Sequence, residues 1–162
     1  MPIDDPIDLP ESPMIEHKSA ARPSARRPMP ATRESVTHKF MVGGHEGYLT
    51  IGLYPDGSPG ELFLKISKEG SAISGFCKAF CLGFSLAIQH GVSVGDAVRR
   101  FRGMRFEPSG ATSNPEIPEA DSIVDYIARY IELNFVDHPG DPRPRTGRVR
   151  PARPEAPGRG SA

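Results

Sequence analysis

The chain has 162 residues, with 20 Lys plus Arg balancing 20 Asp plus Glu, and two cysteines. That length allows one ordinary domain. The balanced charge removes any whole-chain attraction to nucleic acid or an anionic membrane, and two close cysteines do not make the framework of a disulfide-built secreted domain.

The N-terminal run MPIDDPIDLPESP is acidic and broken by proline, unlike a signal or transit peptide. No apolar run is expected to be long enough to span a bilayer, so the cytoplasm is the expected location. Residues 1–31 carry Pro2, Pro6, Pro10, Pro13, Pro23, Pro28 and Pro30 with almost no aliphatic periodicity. Such a segment buries too little apolar surface to offset its ordering entropy, and it is predicted to be a disordered tail.

The predicted folded part covers residues 32–136. Ser35–Val42 and Tyr48–Tyr54 both alternate, with Leu49, Ile51 and Leu53 on one face of the second run, and Gly43-Gly44-His45-Glu46-Gly47 reads as the hairpin loop between them. Pro55-Asp56-Gly57-Ser58-Pro59-Gly60 is a second turn signal, leading into Glu61–Ser67, where Leu62, Leu64 and Ile66 alternate with Phe63 and Lys65. The period then changes. Ile73, Phe76, Cys77, Phe80, Cys81, Phe84 and Ile88 recur at three- and four-residue steps, the stripe of an amphipathic helix that begins after Gly70-Ser71 and stops at Gly91. Ser93 is placed to cap a second, shorter helix with Val94, Ala97, Val98 and Phe101. Pro118 is expected to begin a third, with Ala120, Ile123, Val124, Ile127 and Ile131 on one face. The fold class is therefore α+β: a three-stranded antiparallel meander packed against about three helices in two layers. Residues 137–162 form a predicted disordered Pro/Arg tail, with Arg143, Arg145, Arg148, Arg150, Arg153 and Arg159 against Asp141 and Glu155.

Two long runs carry a resemblance. Residues 35–75, SVTHKFMVGGHEGYLTIGLYPDGSPGELFLKISKEGSAISG, and residues 105–127, RFEPSGATSNPEIPEADSIVDYI, follow one another with family-like order and spacing. Over residues 28–135 the chain resembles the C-terminal TSCPD-type domain of cobalamin-dependent (class II) ribonucleotide reductases. The resemblance implies ribonucleoside-diphosphate reductase chemistry, in which adenosylcobalamin generates a cysteine thiyl and a redox cysteine pair regenerates the site. Those parts need a large barrel that this length does not hold. The implied role is an accessory or detached domain acting in deoxyribonucleotide synthesis, not catalytically complete alone. Its expected partner is a reductase chain, a nucleotide or both. Adenosylcobalamin is implied only for the full reductase, and no cofactor and no membrane partner is expected for this chain by itself.

Chemistry-bearing residues are few, and neither a catalytic residue nor a metal site is assigned. Cys77 and Cys81 stand four apart on the first helix. Two thiolates fall short of the four ligands of a closed zinc site, His90 lies on roughly the opposite side of the helix, and an i, i+4 disulfide has poor geometry. Both are expected as buried thiols packed among Phe76, Phe80 and Phe84. His38 shares a strand face with Phe40 and Val42 and is expected as a hydrogen-bonded, half-buried imidazole. His45 and Glu46, in the expected loop, are candidates for a ligand contact or for fixing the turn.

Lys65, Lys68, Gly70 and Ser71 run from a strand through a turn to a helix N-terminus, where N–H groups can cradle a phosphate or nucleotide. The same residues serve ordinary helix capping, and the Walker spacing is absent. Arg105, Glu107 and Ser109 are candidates for a second contact loop, or for internal pairing that pins the third helix. Arg99, Arg100 and Arg102 complement the dipole at the end of the second helix. The Arg tail can hold nucleic acid or an acidic partner weakly through phosphate or carboxylate contacts, but it lacks aromatics for base stacking.

Overall fold

Alternation along Ser35–Val42 turns Val36, His38, Phe40 and Val42 to one side, and this segment is strand β1. The computed structural model describes residues 25–67 and 71–136. Strands β2 (His45–Leu53) and β3 (Pro59–Ile66) complete an antiparallel sheet in the order β1-β2-β3. Leu49 faces Leu64 and Ile51 faces Leu62 across the second ladder, so the apolar sets of neighbouring strands share one face. The turn between β1 and β2 is tighter than the sequence predicts. Gly43 and Gly44, at φ 52° and 79°, reverse the chain in two residues, a conformation that glycine adopts without strain. His45 and Glu46 therefore belong to β2, paired with Val42 and Met41, and not to a loop.

Helix α1 (Ala72–Gln89) covers the apolar face of the sheet. Its N-cap is Ser71, whose hydroxyl accepts the Ser74 N–H at 3.2 Å. Cys77, Phe80, Cys81 and Phe84 are buried on it, whereas Phe76, placed in the buried stripe by the sequence pattern, is 54% exposed. A step of about 100° per residue carries Phe76 well away from Cys77 and Cys81, and its ring rests edge-on against Phe106. Three polar residues, Ser74, Ser85 and Gln89, sit on the inner face instead. Ser85 Oγ accepts the Leu62 N–H at 2.9 Å and donates to the Cys81 carbonyl at 2.6 Å, and Gln89 Nε2 donates to the Gly60 carbonyl at 2.8 Å. These bonds satisfy the outer edge of β3, a strand that would otherwise present unpaired backbone groups.

By length and composition α1 is apolar enough to cross a membrane, contrary to the expectation that no run reaches that length. It carries one charged residue, Lys78, but its bonds to β3 place it in the second layer of the domain.

Helix α2 (Val94–Phe101) is capped by Ser93, as the sequence predicts. The third helix starts later than predicted. Glu119–Ala120 (β5) pairs with Gly110–Ala111 (β4) in a short ribbon, and α3 runs over Ile123–Phe135. Its N-cap is Ser122, whose hydroxyl accepts the Asp125 N–H at 3.0 Å, a stronger start signal than a proline four residues upstream. Ile123, Ile127 and Ile131 join Phe40, Leu49 and Phe84 in one core.

Residues 25–31 are assigned to the tail by composition, yet part of this stretch is held by polar contacts. Arg26 Nε and the Arg27 N–H each donate to Gln89 at 2.8 Å, and Tyr54 donates its hydroxyl proton to the Arg27 carbonyl at 2.7 Å. Such contacts leave no aliphatic periodicity for a sequence reading to detect. The rest of the N-terminal tail, Lys68, Gly70 and the Arg/Pro tail lie outside the described residues.

Candidate functional site

The richest polar constellation joins the middle of β1, the turn after β4 and the first half of α3. Parity turns His38 inward beside Phe40, and an i, i+4 step sets Tyr126 and Tyr130 on one side of α3. His38 Nε2 and the Tyr126 hydroxyl are 2.8 Å apart, and the His38 ring stacks on Tyr130 with centroids 4.0 Å apart. The Asn114 side chain also lies beside the Tyr126 hydroxyl. Burial holds the His38 pKa below its ordinary 6.5 and raises that of Tyr126, with Asn114 opposing the latter shift. The lowered pKa favours a neutral imidazole, which shares one hydrogen bond with the tyrosine hydroxyl in the direction its tautomer sets. Burial, reinforced by Tyr126 and Glu116, pushes Tyr130 up to about 12.

Asn114 is fixed by its own turn. Its N–H donates to Thr112 Oγ1 at 3.0 Å, its Oδ1 accepts the Glu116 N–H at 3.0 Å, and Thr112 Oγ1 donates to the Ile117 carbonyl. The turn is docked on β1, where Ser113 accepts the Met41 N–H on its hydroxyl at 3.1 Å and donates its own N–H to the Met41 carbonyl at 3.2 Å. The arrangement can hold a neutral imidazole and a tyrosine hydroxyl in fixed orientation. Its shared bond engages His38 Nε2 and the Tyr126 oxygen with each other.

The residues singled out from sequence fall into three places. His45 Nδ1 donates to the Gly43 carbonyl at 3.2 Å, and Glu46 pairs with Lys39 at 3.1 Å on the outer face of the hairpin. Glu107 accepts both the N–H (3.0 Å) and the hydroxyl (2.9 Å) of Ser109. The β1–β2 turn meets the Glu107–Ser109 loop: the Gly43 N–H donates to the Ala111 carbonyl at 3.0 Å, and a Cβ on Gly43 would collide with the Ser109 carbonyl. Arg105 turns the other way and pairs with Asp121 at 2.8 Å. Lys65 lies on the outer sheet face opposite Tyr48, while Ser71 spends its hydroxyl on capping α1.

Cys77 and Cys81 are 1% and 2% exposed. Burial pushes Cys77 up to about 11, and burial with the neighbouring Cys77 pushes Cys81 up to about 12, so both are protonated thiols near neutrality. Among the described residues no group of three or more His, Cys, Asp or Glu side chains is gathered as a metal site.

Sequence reasoning finds His38 but not its partners. Tyr126 lies 88 positions away. The one available signal is the turn-forming Asn114-Pro115 pair, which announces a fixed loop without saying what the loop touches.

The TSCPD domain family matches residues 20–135. A vitamin B12-dependent ribonucleotide reductase of Rhodopirellula baltica is 51% identical over 111 residues, covering 68% of this chain and 11% of that protein. Proteins of the same name from Streptantibioticus cattleyicolor and Streptomyces avermitilis are 43% and 46% identical, over 78% and 75% of this chain and 21% and 13% of their own lengths. The chain thus spans 11% to 21% of the length of these three curated relatives. No solved structure matches it.

Proposed function

The chain belongs to the TSCPD domain family, and on that premise we propose that it serves deoxyribonucleotide synthesis as an accessory or detached domain of a vitamin B12-dependent ribonucleotide reductase. One observation carries this reading: the match takes in the whole described fold, yet that fold is only a small share of each relative.

The side chains support an accessory rather than a reacting role. The two thiols are core residues held protonated by burial. His38 spends Nε2 on Tyr126 and stacks on Tyr130. In this reading the adenosylcobalamin and the ribonucleotide belong to the reductase chain, and no step at this domain runs through the cobalamin. What the domain contributes is a rigid surface, presented by a sheet-and-helix core on which the polar loops are pinned.

Affinity capture of the tagged chain from its own cells, with the bound proteins identified by mass spectrometry, tests the reading. A vitamin B12-dependent reductase chain is the expected partner. A folded, abundant bait that captures no reductase would overturn the assignment. Given adenosylcobalamin, a dithiol and a ribonucleotide, the purified chain alone is expected to form no deoxyribonucleotide above background.

A further inference from the structure

Surface helices of soluble domains normally turn charges outward. Helix α1 does not. On the side opposite Cys77, Cys81 and Ser85 it presents Gly75, Phe76, Ala79, Leu82, Gly83 and Leu86, and the helix carries a single charge, Lys78, at the margin of that side. Leu82 is 62% exposed, Phe76 54% and Leu86 38%. Contiguous exposed apolar surface of this kind marks an interaction site far more often than chance, because it costs solubility and contributes nothing to the isolated fold.

The glycines add an independent point. Gly75 and Gly83 lie eight apart with Ala79 between them, and nothing stands within 4 Å of where a Cβ on either would be. A mid-helix glycine costs about 1 kcal/mol relative to alanine. No described residue crowds either position, so no contact among the described residues offsets that cost. A partner backbone packing closely against the stripe does offset it.

The occupant follows from proportion. In its relatives this domain is between 11% and 21% of a reductase chain, so in them most of the polypeptide lies outside it and is available as cover. A passage of α1 across a bilayer is disfavoured by the inner face of the same helix, where Ser85 and Gln89 are hydrogen-bonded to β3 and keep α1 on the sheet. We propose that the outward face of α1, centred on Leu82 and the Gly75-Ala79-Gly83 stripe, is the surface on which a vitamin B12-dependent reductase chain docks, through an apolar helix or strand packed against it. This deepens the accessory-domain reading and rests on it.

The test measures the affinity of the full 162-residue chain for the Rhodopirellula baltica reductase lacking its own homologous segment, so that no resident copy competes. Four forms are compared: wild type, the double variant Leu82→Lys/Leu86→Glu, Gly83→Leu, and Arg105→Glu on the polar loops. Thermal melting and light scattering of each form establish that it is folded and report its mass. The wild type is expected to bind, the two α1 variants to bind at least about tenfold more weakly with melting no lower than wild type, and Arg105→Glu to bind like wild type.

If the α1 variants bind as well as wild type, the docking surface is overturned while the accessory reading stands. Should the wild type fail to bind, both fall together. Variants that convert a wild-type dimer to monomer without altering reductase affinity would assign the face to self-association and overturn the proposal. Loss of co-sedimentation with phosphatidylglycerol vesicles, again with reductase affinity intact, would assign it to a lipid surface and do the same.

Discussion

Asp125 ties the start of α3 to the segments that precede it. It is fully buried, accepts N–H bonds from Gly103 at 2.6 Å and Asp121 at 3.0 Å, and lies 3.4 Å from Arg129 Nε. The last distance is that of an ion pair, but Arg129 Nε is not aligned to donate to it. Asp125→Ala would strand two backbone donors and the arginine, at a cost of about 3 kcal/mol, read as a lower urea midpoint. His38 gives a pH dependence of known sign. Burial lowers its folded pKa below 6.5, so the unfolded chain binds the proton first. The stability it contributes is fully present above 6.5 and is lost as pH falls below 6.5 toward the lowered folded value. Urea midpoints should therefore drop between pH 7.5 and pH 5.5 more for wild type than for His38→Gln. At the same scale, with thiols raised to about 11 and 12, Cys77 and Cys81 should react with a disulfide reagent at pH 8 at least about a hundredfold more slowly in the native chain than in denaturant.

The strands and helices were mostly legible, and their ends were where the sequence pattern failed. Alternation located β1 over Ser35–Val42 because a half-buried strand must alternate. Periodicity located α1, and its stop before Gly91, because a stripe must repeat near 3.6 residues. It misplaced the start of α3, where Pro118 competes with Ser122, and only the ribbon between β4 and β5 decides in favour of Ser122. The β1–β2 turn depends on Gly43 twice, through its φ of 52° and through the Ser109 carbonyl lying where a Cβ would go. Gly43→Ala should cost about 2 kcal/mol and loosen the loop at residues 107–113, seen as faster amide exchange there. The bond between α1 and β3 is testable in the same way. Ser85→Ala leaves the Leu62 N–H buried without its acceptor and should cost about 1–2 kcal/mol. Gln89→Ala should in addition loosen the chain at Arg26 to proteolysis, because the Gln89 side chain both accepts from Arg26 Nε and donates to the Gly60 carbonyl, while the Arg27 N–H keeps its bond to the Gln89 backbone carbonyl.

Across the whole molecule, the sequence by itself determined the α+β class, the two-layer plan, which face of each strand is apolar and the family likeness. Each of these is written in local periods of two or about 3.6 residues, or in long ordered runs that need no tertiary information to be read. The tertiary structure alone decided what meets what. It brought His38 to Tyr126 and Asn114, set the Gly43 turn against Ser109, and passed the last polar groups of α1 to the edge of β3 and to residues 26 and 27. It also turned Gly75, Phe76, Leu82 and Gly83 out of the core, onto an apolar face exposed among the described residues. The physical reason is one of range. A periodic pattern states how a segment divides into faces. Which face is buried and which polar atoms pair across 88 residues depends on the packing of every other element, and no local pattern carries that information.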